Sequence, residues 1–302
     1  MNNLRGKPKT RPRVTLIVGI ICKDGIVLAA DSQITAGTLR TETNKISVIE
    51  FLNGKILVAE SGDMPLSNRA VHNLRDSAKD CTIEDEETVP MLLQSAMCEA
   101  RNSQISLYPS GTYTPEHWKA FFLGDSAAEL VVGYYHFDKT PYLFSIDLAE
   151  CIPRKPSRCH FVTSGIGSDL GQHLLIEYSK AEMDLRLGAV VAIHTVETVI
   201  KRNPYCNKPT RLGILRSPFI LPEFLSGIDT SKFHPFGPPP FKNYKGHVEI
   251  YKQEEIEALA KIISKTDEET RADRNSKLLA LLSERTEKEL QEYMENHYPS
   301  LE

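Results

Sequence analysis

The amino-acid sequence predicts an α+β protein in which two antiparallel β-sheets lie face to face between outer pairs of helices. Two observations lead to this prediction. Apolar, β-branched segments occur before residue 62 and again after residue 130, and each block of strands is followed by two segments with apolar residues at helical spacing. Because each block carries its own amphipathic helices, a layered sandwich with helices on both outer faces is the favoured architecture.

The first block consists of two hairpins and two helices. Lys23-Asp24-Gly25 is a polar turn between two apolar segments, and Asn53-Gly54 separates two more, a dipeptide that strongly favours a tight hairpin turn. Apolar residues then recur at intervals of three and four, which is typical of helices packed on one face. The segments are predicted as strands over 15–22, 26–30, 45–51 and 55–60, and as helices over 67–79 and 88–106.

The second block repeats the order of the first. Two apolar segments flank the polar turn at 138–141, and a short apolar segment follows at 160–163. Two long helical patterns and a last apolar segment complete the block. The predicted elements are strands at 130–135, 142–146 and 160–163, helices at 168–180 and 185–202, and a strand at 211–215.

The chain beyond residue 217 has a different composition. Residues 218–245 contain six prolines, which predicts an extended linker or strap. Residues 246–302 carry fourteen acidic and eight basic side chains and contain helical patterns at 256–263 and 278–293, which predicts a charged helical extension. The pattern leaves open whether this extension caps the sandwich, packs on a neighbouring subunit or extends freely.

Composition and charge exclude several classes of function. Residues 1–13 contain five basic side chains and no acidic one, so residues 1–14 are interpreted as a basic arm or a propeptide, and solvation rather than nucleic-acid binding is expected for them. No apolar run reaches the length of a membrane helix. The six cysteines form no CxxC pair, which indicates a reduced, cytoplasmic protein. We therefore expect neither a membrane nor a nucleic-acid partner.

Metal and nucleotide sites are not expected either. His160, His173 and His194 are too dispersed in the sequence to suggest a metal centre. Gly165 and Gly167 lack the Lys-Ser/Thr that completes a phosphate-binding loop. We therefore expect no metal and no cofactor.

Three polar residues stand at the ends of the first predicted hairpin. The hydroxyl of Thr15 begins it, the carboxylate of Asp31 closes it sixteen residues later, and the ammonium of Lys45 follows just before the next strand. Each alone has a simpler interpretation, such as a turn residue for Asp31 and a charged edge-strand residue for Lys45. Together with Ser61-Gly62, they resemble the opening of β-type subunits of the 20S proteasome and their HslV-like bacterial relatives, although the loop before Lys45 is shorter here.

The resemblance implies a fold and a set of roles. It implies the four-layer αββα sandwich of Ntn hydrolases over residues 15–217, with Thr15 as the nucleophile and its own free α-amine as the base. An α-amine suits this role because its pKa of about 7.7–8.0 lies near the working pH, whereas that of a lysine side chain is about 10.4. Lys45 would lower the pKa beside the nucleophile, Asp31 would hold Lys45, and the backbone N–H of Gly62 would form the oxyanion hole.

Two further segments belong to the resemblance, and each differs from the family pattern. Gly165-Ile166-Gly167-Ser168 has Ile166 in place of a serine near the α-amine, and Arg202-Asn203-Pro204-Tyr205-Cys206 has Asn203 in place of an aspartate. Val14 precedes Thr15 where self-processing members carry glycine. A free amine on Thr15 therefore requires removal of residues 1–14, or a start of translation at residue 14 followed by trimming.

The resemblance implies a threonine-type peptidase acting on peptides or unfolded proteins, assembled as a homo-oligomeric ring. A non-catalytic ring subunit or scaffold is the alternative, a small-amide hydrolase is a further one, and an ATPase partner stays open. Glu60 and Ser61 are expected to line the substrate pocket, where a carboxylate favours Lys or Arg before the cleaved bond. The sequence is equally compatible with a Glu60 that turns outward or that pairs with a neighbour such as Lys45 or Arg69.

Overall fold

Two antiparallel sheets form the centre of the protein. The computed structural model describes residues 15–36, 39–111, 113–124, 126–136, 140–156, 159–180, 183–203, 206, 210–216 and 247–250. The strands are β1 (Leu16–Cys22), β2 (Gly25–Asp31), β3 (Gln33–Ala36), β4 (Leu39–Glu42), β5 (Ile46–Glu50), β6 (Lys55–Gly62), β7 (Ala128–Tyr135), β8 (Pro141–Asp147), β9 (Phe161–Gly165), β10 (Thr210–Arg216) and β11 (His247–Ile250). The helices are α1 (Met64–Ala78), α2 (Thr88–Ile105), α3 (Pro115–Leu123), α4 (Ser168–Tyr178) and α5 (Leu185–Arg202).

The first sheet has the strand order β11-β10-β2-β1-β9, and the second has the order β5-β6-β7-β8. β3 and β4 form a separate two-stranded hairpin. Every strand pairing is antiparallel, and the β1–β2 register places Ile17 opposite Ala30. This register brings the start of β1 beside the end of β2, which is where the polar residues of the hairpin lie.

Alternating side chains on each strand divide the core into layers. On β1, Leu16, Val18 and Ile20 pack with residues of α4 and α5, whereas Ile17 faces the second sheet. On β6, Ile56 and Val58 pack with α1 and α2, whereas the next residues in the strand face the first sheet. The result is the predicted αββα sandwich, with one apolar core between the sheets and one under each helical layer.

Four elements were not predicted from the sequence, namely the strands β3, β4 and β11 and the helix α3. The β3–β4 hairpin and β11 are only four residues per strand, too short for a clear alternating pattern. Helix α3 is nine residues long and rich in aromatic residues, although Thr114 caps it and Pro115 begins it. Both helices predicted for this block are present as α1 and α2, and α3 is a third helix that follows them before β7.

The boundaries of the remaining elements differ from the predictions by a few residues. Helix α1 begins at Met64 rather than residue 67, because the Asp63 side chain accepts a hydrogen bond from Leu66 N at 3.2 Å and Pro65 occupies its first turn. Helix α5 has the predicted bounds. The basic arm or propeptide at 1–14, the linker at 218–245 and the helical patterns at 256–263 and 278–293 lie outside the described residues.

Two general features of the chain follow from the described residues. None of the helices in that part is long and apolar enough to span a bilayer. All six cysteines fall within it, and all are free thiols.

Candidate active site

The three polar residues of the first hairpin meet in one buried cluster. Lys45 Nζ donates hydrogen bonds to Thr15 Oγ1 at 2.7 Å and to Asp31 Oδ1 at 3.0 Å. The exposed fractions of Thr15, Asp31 and Lys45 are 2%, 0% and 1%. The hydroxyl of Thr15 therefore has an ammonium group as its neighbour and almost no contact with bulk solvent.

The fold explains this meeting. Thr15 lies just before β1 and Asp31 ends β2, so the pairing of these strands makes them neighbours, and Leu16 N donates to Asp31 Oδ1 at 2.9 Å. Lys45 lies just before β5 of the second sheet. Its side chain thus reaches from one sheet to the other, and the cluster joins the two sheets at one end of the sandwich.

Burial controls the electrostatics of the ion pair. It lowers the pKa of the Lys45 ammonium, and the nearby Asp31 carboxylate opposes that shift. Burial likewise raises the pKa of the Asp31 carboxyl, opposed by Lys45 and by the N–H groups of Leu16 and Gln33. The Gln33 N–H donates to Asp31 Oδ2 at 3.2 Å. Asp31 therefore accepts from three donors and holds Lys45 against the Thr15 hydroxyl.

Two glycines with positive φ lie at the ends of strands beside this cluster. Gly62 ends β6 with φ +89°, and a Cβ there would lie 1.9 Å from the Ala127 carbonyl oxygen. Gly165 ends β9 with φ +93°, and a Cβ there would lie 2.0 Å from the carbonyl oxygen of Thr15. Both positions need glycine because of the backbone conformation and because another backbone passes so closely.

Glu60 and Ser61 precede Gly62 and face opposite sides of β6. Glu60 is 4% exposed, and its Oε2 has no hydrogen-bond partner within the described residues. Burial raises the pKa of its carboxyl, while Ser67, Arg75 and Lys45 oppose the shift. The sequence suggested Lys45 or Arg69 as a partner of Glu60. Lys45 is one of the groups that lower the pKa of Glu60, and the arginine that does so is Arg75 rather than Arg69.

The Ser61 hydroxyl points to the other sheet, where it lies 2.9 Å from Ser164 Oγ. Ser164 in turn donates to Glu129 Oε2 at 2.6 Å. Neither Ser164 nor Glu129 was recognised in the sequence. The only signal was the repeated Ser-Gly step at 61–62 and 164–165, which has little specificity by itself.

The two positions that depart from the family pattern lie beside the first sheet. Ile166 packs against the apolar cluster under α4 and α5. Asn203 follows α5 directly, and its N–H donates to Val199 O at 2.7 Å. Cys206, to which sequence reasoning gave no role, is buried near the ion pair: burial and Asp31 raise the pKa of its thiol to about 12, and Lys45 opposes them.

This fold, with a buried hydroxyl and ammonium at the start of β1, is that of an Ntn-hydrolase-like protein. The family model described as "Proteasome subunit" matches residues 14–215. The chain belongs to the proteasome subunit family, and the resemblance seen in the sequence is confirmed.

The similar proteins are distant in sequence, but the alignments cover most of their length. The chain is 24% identical over 191 residues to proteasome subunit beta 2 of Pyrococcus abyssi, covering 63% of this chain and 81% of the relative. It is 24% identical over 253 residues to proteasome subunit beta of Methanococcus vannielii, covering 83% and 93%.

Solved structures of Anbu proteins share the fold. The Anbu (Gly-1) mutant from Hyphomicrobium sp. strain MC1 aligns with a TM-score of 0.58 at 14% identity, covering 85% of this chain and 99% of that one. The Pseudomonas aeruginosa structure titled "Helical Assembly of the Anbu Complex" aligns with a TM-score of 0.55 at 16% identity, covering 74% and 98%. At these sequence identities, the structural similarity shows a shared fold and nothing about function.

Proposed function

We propose that this proteasome-family subunit is a threonine peptidase that hydrolyses peptide bonds with Thr15 as its nucleophile. The observation that carries the proposal is the 2.7 Å hydrogen bond from Lys45 Nζ to Thr15 Oγ1 in a cluster excluded from solvent. An ammonium at this distance stabilises the developing alkoxide, and a water-poor environment strengthens that effect.

The reaction follows from these positions. Thr15 Oγ attacks the substrate carbonyl carbon while its proton passes to the α-amine of Thr15, and the oxyanion is stabilised by the Gly62 N–H. The tetrahedral intermediate collapses as the C–N bond breaks and the leaving amine takes that proton. Water then hydrolyses the ester on Thr15 with the α-amine again acting as base, which restores the hydroxyl and releases the acid.

This mechanism needs a free amine on Thr15, so the bond between Val14 and Thr15 has to be cut or absent in the active form. Lys45 is a poor substitute as base because it already donates to both Thr15 and Asp31. The mature N-terminus therefore decides whether the proposal can hold.

A non-catalytic ring subunit is the second candidate, and Ile166 is the observation that favours it. A serine at this position would offer a hydrogen bond, whereas Ile166 packs into the apolar cluster. Its presence removes one source of polar support for the α-amine. For the peptidase proposal to hold, we infer that the Lys45–Asp31 ion pair, rather than the residue at position 166, supplies most of the activation of the Thr15 hydroxyl.

We further propose that the carboxylate of Glu60 sets the specificity of the pocket. It is buried two residues before Gly62, and Glu60 N donates to Lys45 O at 2.9 Å, so it adjoins the catalytic cluster. One of its oxygens lacks a hydrogen-bond partner within the described residues. A substrate Lys or Arg side chain before the cleaved bond would supply that partner, whereas an acidic side chain would add a second buried negative charge.

We also propose that the subunit assembles into a homo-oligomeric ring. Membership of a family of subunits supports this, as does the exposure of Ile176 on α4, which is 62% exposed. Light scattering at micromolar concentration is the test, and a monomer would contradict the assembly.

Thr15→Ala tests the peptidase directly. Intact-mass measurement of the native protein should first show Thr15 as the N-terminal residue. The wild-type protein should then cleave fluorogenic peptides and react with an electrophile directed at an N-terminal threonine, and the variant should do neither. Thr43→Ala is a matched control because it removes a hydroxyl from a nearby loop, and it should retain activity. Unchanged cleavage by Thr15→Ala would end the peptidase proposal.

A further inference from the structure

A chain of three side chains links the two sheets next to the proposed nucleophile. Ser61 of β6 and Ser164 of β9 lie with their hydroxyl oxygens 2.9 Å apart, and Ser164 donates to Glu129 Oε2 of β7 at 2.6 Å. Ser61 is 1% exposed and Ser164 is 2% exposed. Glu129 lies opposite Ser61 in the β6–β7 register, so it is held in place by the second sheet.

The donor directions in this chain are determined by its carboxylate end. Ser164 donates its single hydroxyl proton to Glu129 Oε2. Ser164 Oγ must then accept from Ser61, and the Ser61 hydroxyl is the donor of the 2.9 Å contact. Hydrogen bonds to charged groups are the shorter and stronger ones, in agreement with the 2.6 Å distance at Glu129.

Each serine of the chain is followed by one of the two glycines with positive φ. Ser61 precedes Gly62, whose N–H is the proposed oxyanion donor, and Ser164 precedes Gly165, which packs against the carbonyl of Thr15. The two Ser-Gly steps come from different sheets. A hydrogen bond between their side chains therefore sets the distance between the backbone that carries the nucleophile and the backbone that stabilises the oxyanion.

We propose that Glu129 is a positioning residue that acts through the hydroxyls of Ser164 and Ser61 to fix Gly62 relative to Thr15. This proposal rests on the proposed peptidase function and deepens it. In this role Glu129 acts through the two hydroxyls and not through a contact with the substrate. It orders a hydroxyl pair that would otherwise be free to rotate, and a shift of about 1 Å between reacting groups is enough to lower a rate about 100-fold.

The kinetic test uses the full-length protein with its native N-terminus. Glu129→Ala and Ser164→Ala should each lower kcat about 10- to 100-fold with little change in KM, because alignment rather than substrate binding is lost. Glu129→Gln should restore most of the rate, since its amide oxygen can still accept from Ser164. If Glu129 served only in folding, Glu129→Gln and Glu129→Ala of equal stability would have the same kcat.

Glu50→Gln is the matched control. Glu50 is a carboxylate of the same sheet that pairs with Lys55 at 3.0 Å on the exposed edge, and its substitution should leave kcat unchanged. An equal loss in this control, or wild-type kcat in both Glu129→Ala and Ser164→Ala, would overturn the proposal. If Glu129→Ala does not fold, Ser164→Ala and Glu129→Gln decide the question.

Hydrogen exchange separates this proposal from the peptidase itself. Peptides that contain Gly62 and Gly165 should exchange faster in Glu129→Ala and Ser164→Ala than in the wild type, and at the wild-type rate in Glu50→Gln. A wild-type protein without any cleavage activity would contradict the proposed function. Hydrogen exchange would still show whether the Ser61–Ser164–Glu129 chain holds the two glycine segments in place. Unchanged exchange in both variants would overturn the positioning role whatever the activity.

Discussion

Replacing Lys45 with methionine should both inactivate and destabilise the protein. Methionine keeps most of the side-chain volume but removes the ammonium that bridges Thr15 and Asp31. Asp31 is fully buried, so Lys45→Met removes the ammonium that lies against its carboxylate in the core. Breaking a buried ion pair by removing one partner costs about 3–5 kcal/mol.

The contacts of Asp31 predict a loss of unfolding free energy near the lower end of that range. Asp31 retains hydrogen bonds from the backbone N–H groups of Leu16 and Gln33 at 2.9 and 3.2 Å, and these still compensate part of its charge. We therefore expect a loss of about 3 kcal/mol. For a domain of this size that corresponds to a decrease in Tm of about 6–12 °C. Activity should fall at least 100-fold, as when one donor to a developing oxyanion is removed.

A double-mutant cycle gives the decisive measurement. Asp31→Asn, Lys45→Met and the double variant are compared by urea unfolding at one fixed protein concentration, since assembly would make stability depend on concentration. The double variant removes both charges, so it should be more stable than Lys45→Met although it stays inactive. Additive losses, or a Lys45→Met protein as stable as the wild type, would refute the view that the buried pair dominates this cluster.

Three more substitutions test the neighbouring groups. Gly62→Ala should abolish cleavage and lower stability, because its Cβ would lie 1.9 Å from the Ala127 carbonyl oxygen at φ +89°; kcat and urea unfolding measure this, and an active, stable variant would contradict it. Asn203→Asp should raise kcat if the carboxylate that the family pattern has at this position supports the α-amine, and a lower kcat would show that the site works with the neutral side chain. Peptides with Arg before the cleaved bond should be cut faster than those with Leu, and Glu60→Met should reverse this order. Because burial raises the pKa of Glu60, the preference for Arg should be present above that pKa and decline on acidification while the pH is still above the ordinary value of 4.5; a preference independent of pH, or a wild-type preference for Leu, would contradict the pocket assignment.

The central part of the fold could be predicted because its elements have clear periodicity. The hairpin that Asn53-Gly54 indicated is present between β5 and β6, with its turn at Leu52-Asn53 because Phe51 N donates to Gly54 O at 2.8 Å, and the helix at 185–202 is present as predicted. The short strands β3, β4 and β11 were missed because four residues do not distinguish a strand from a loop. Helix α3 was missed because it is only nine residues long, so the helical spacing of Trp118, Phe121 and Phe122 covers little more than one turn.

The site was accessible to sequence reasoning only where the residues lie near in sequence or match a known spacing. Thr15, Asp31 and Lys45 were found in this way. Ser164 and Glu129 could not be found from the sequence. Glu129 comes beside Ser61 only through the pairing of β6 with β7, and Ser164 only after the two sheets have packed, while their separation of 35 residues carries no signal. Cys206 belonged to a recognised segment, but only the structure places its thiol in the field of the ion pair.

The burial of the ion pair itself favours a catalytic role over a purely structural one. Desolvating two charges costs several kcal/mol, and replacing a buried pair by apolar residues of similar size is often neutral or stabilising. A subunit that served only as part of a ring would therefore gain little stability from the pair of Lys45 and Asp31, which joins the two sheets at one end of the sandwich. A third polar group, the hydroxyl of Thr15, lies at 2.7 Å from the same ammonium, which is an arrangement that activates a nucleophile. If the double variant of Lys45 and Asp31 proves as stable as the wild type and yet inactive, the pair serves the chemistry; if it is much less stable, the structural role is the main one.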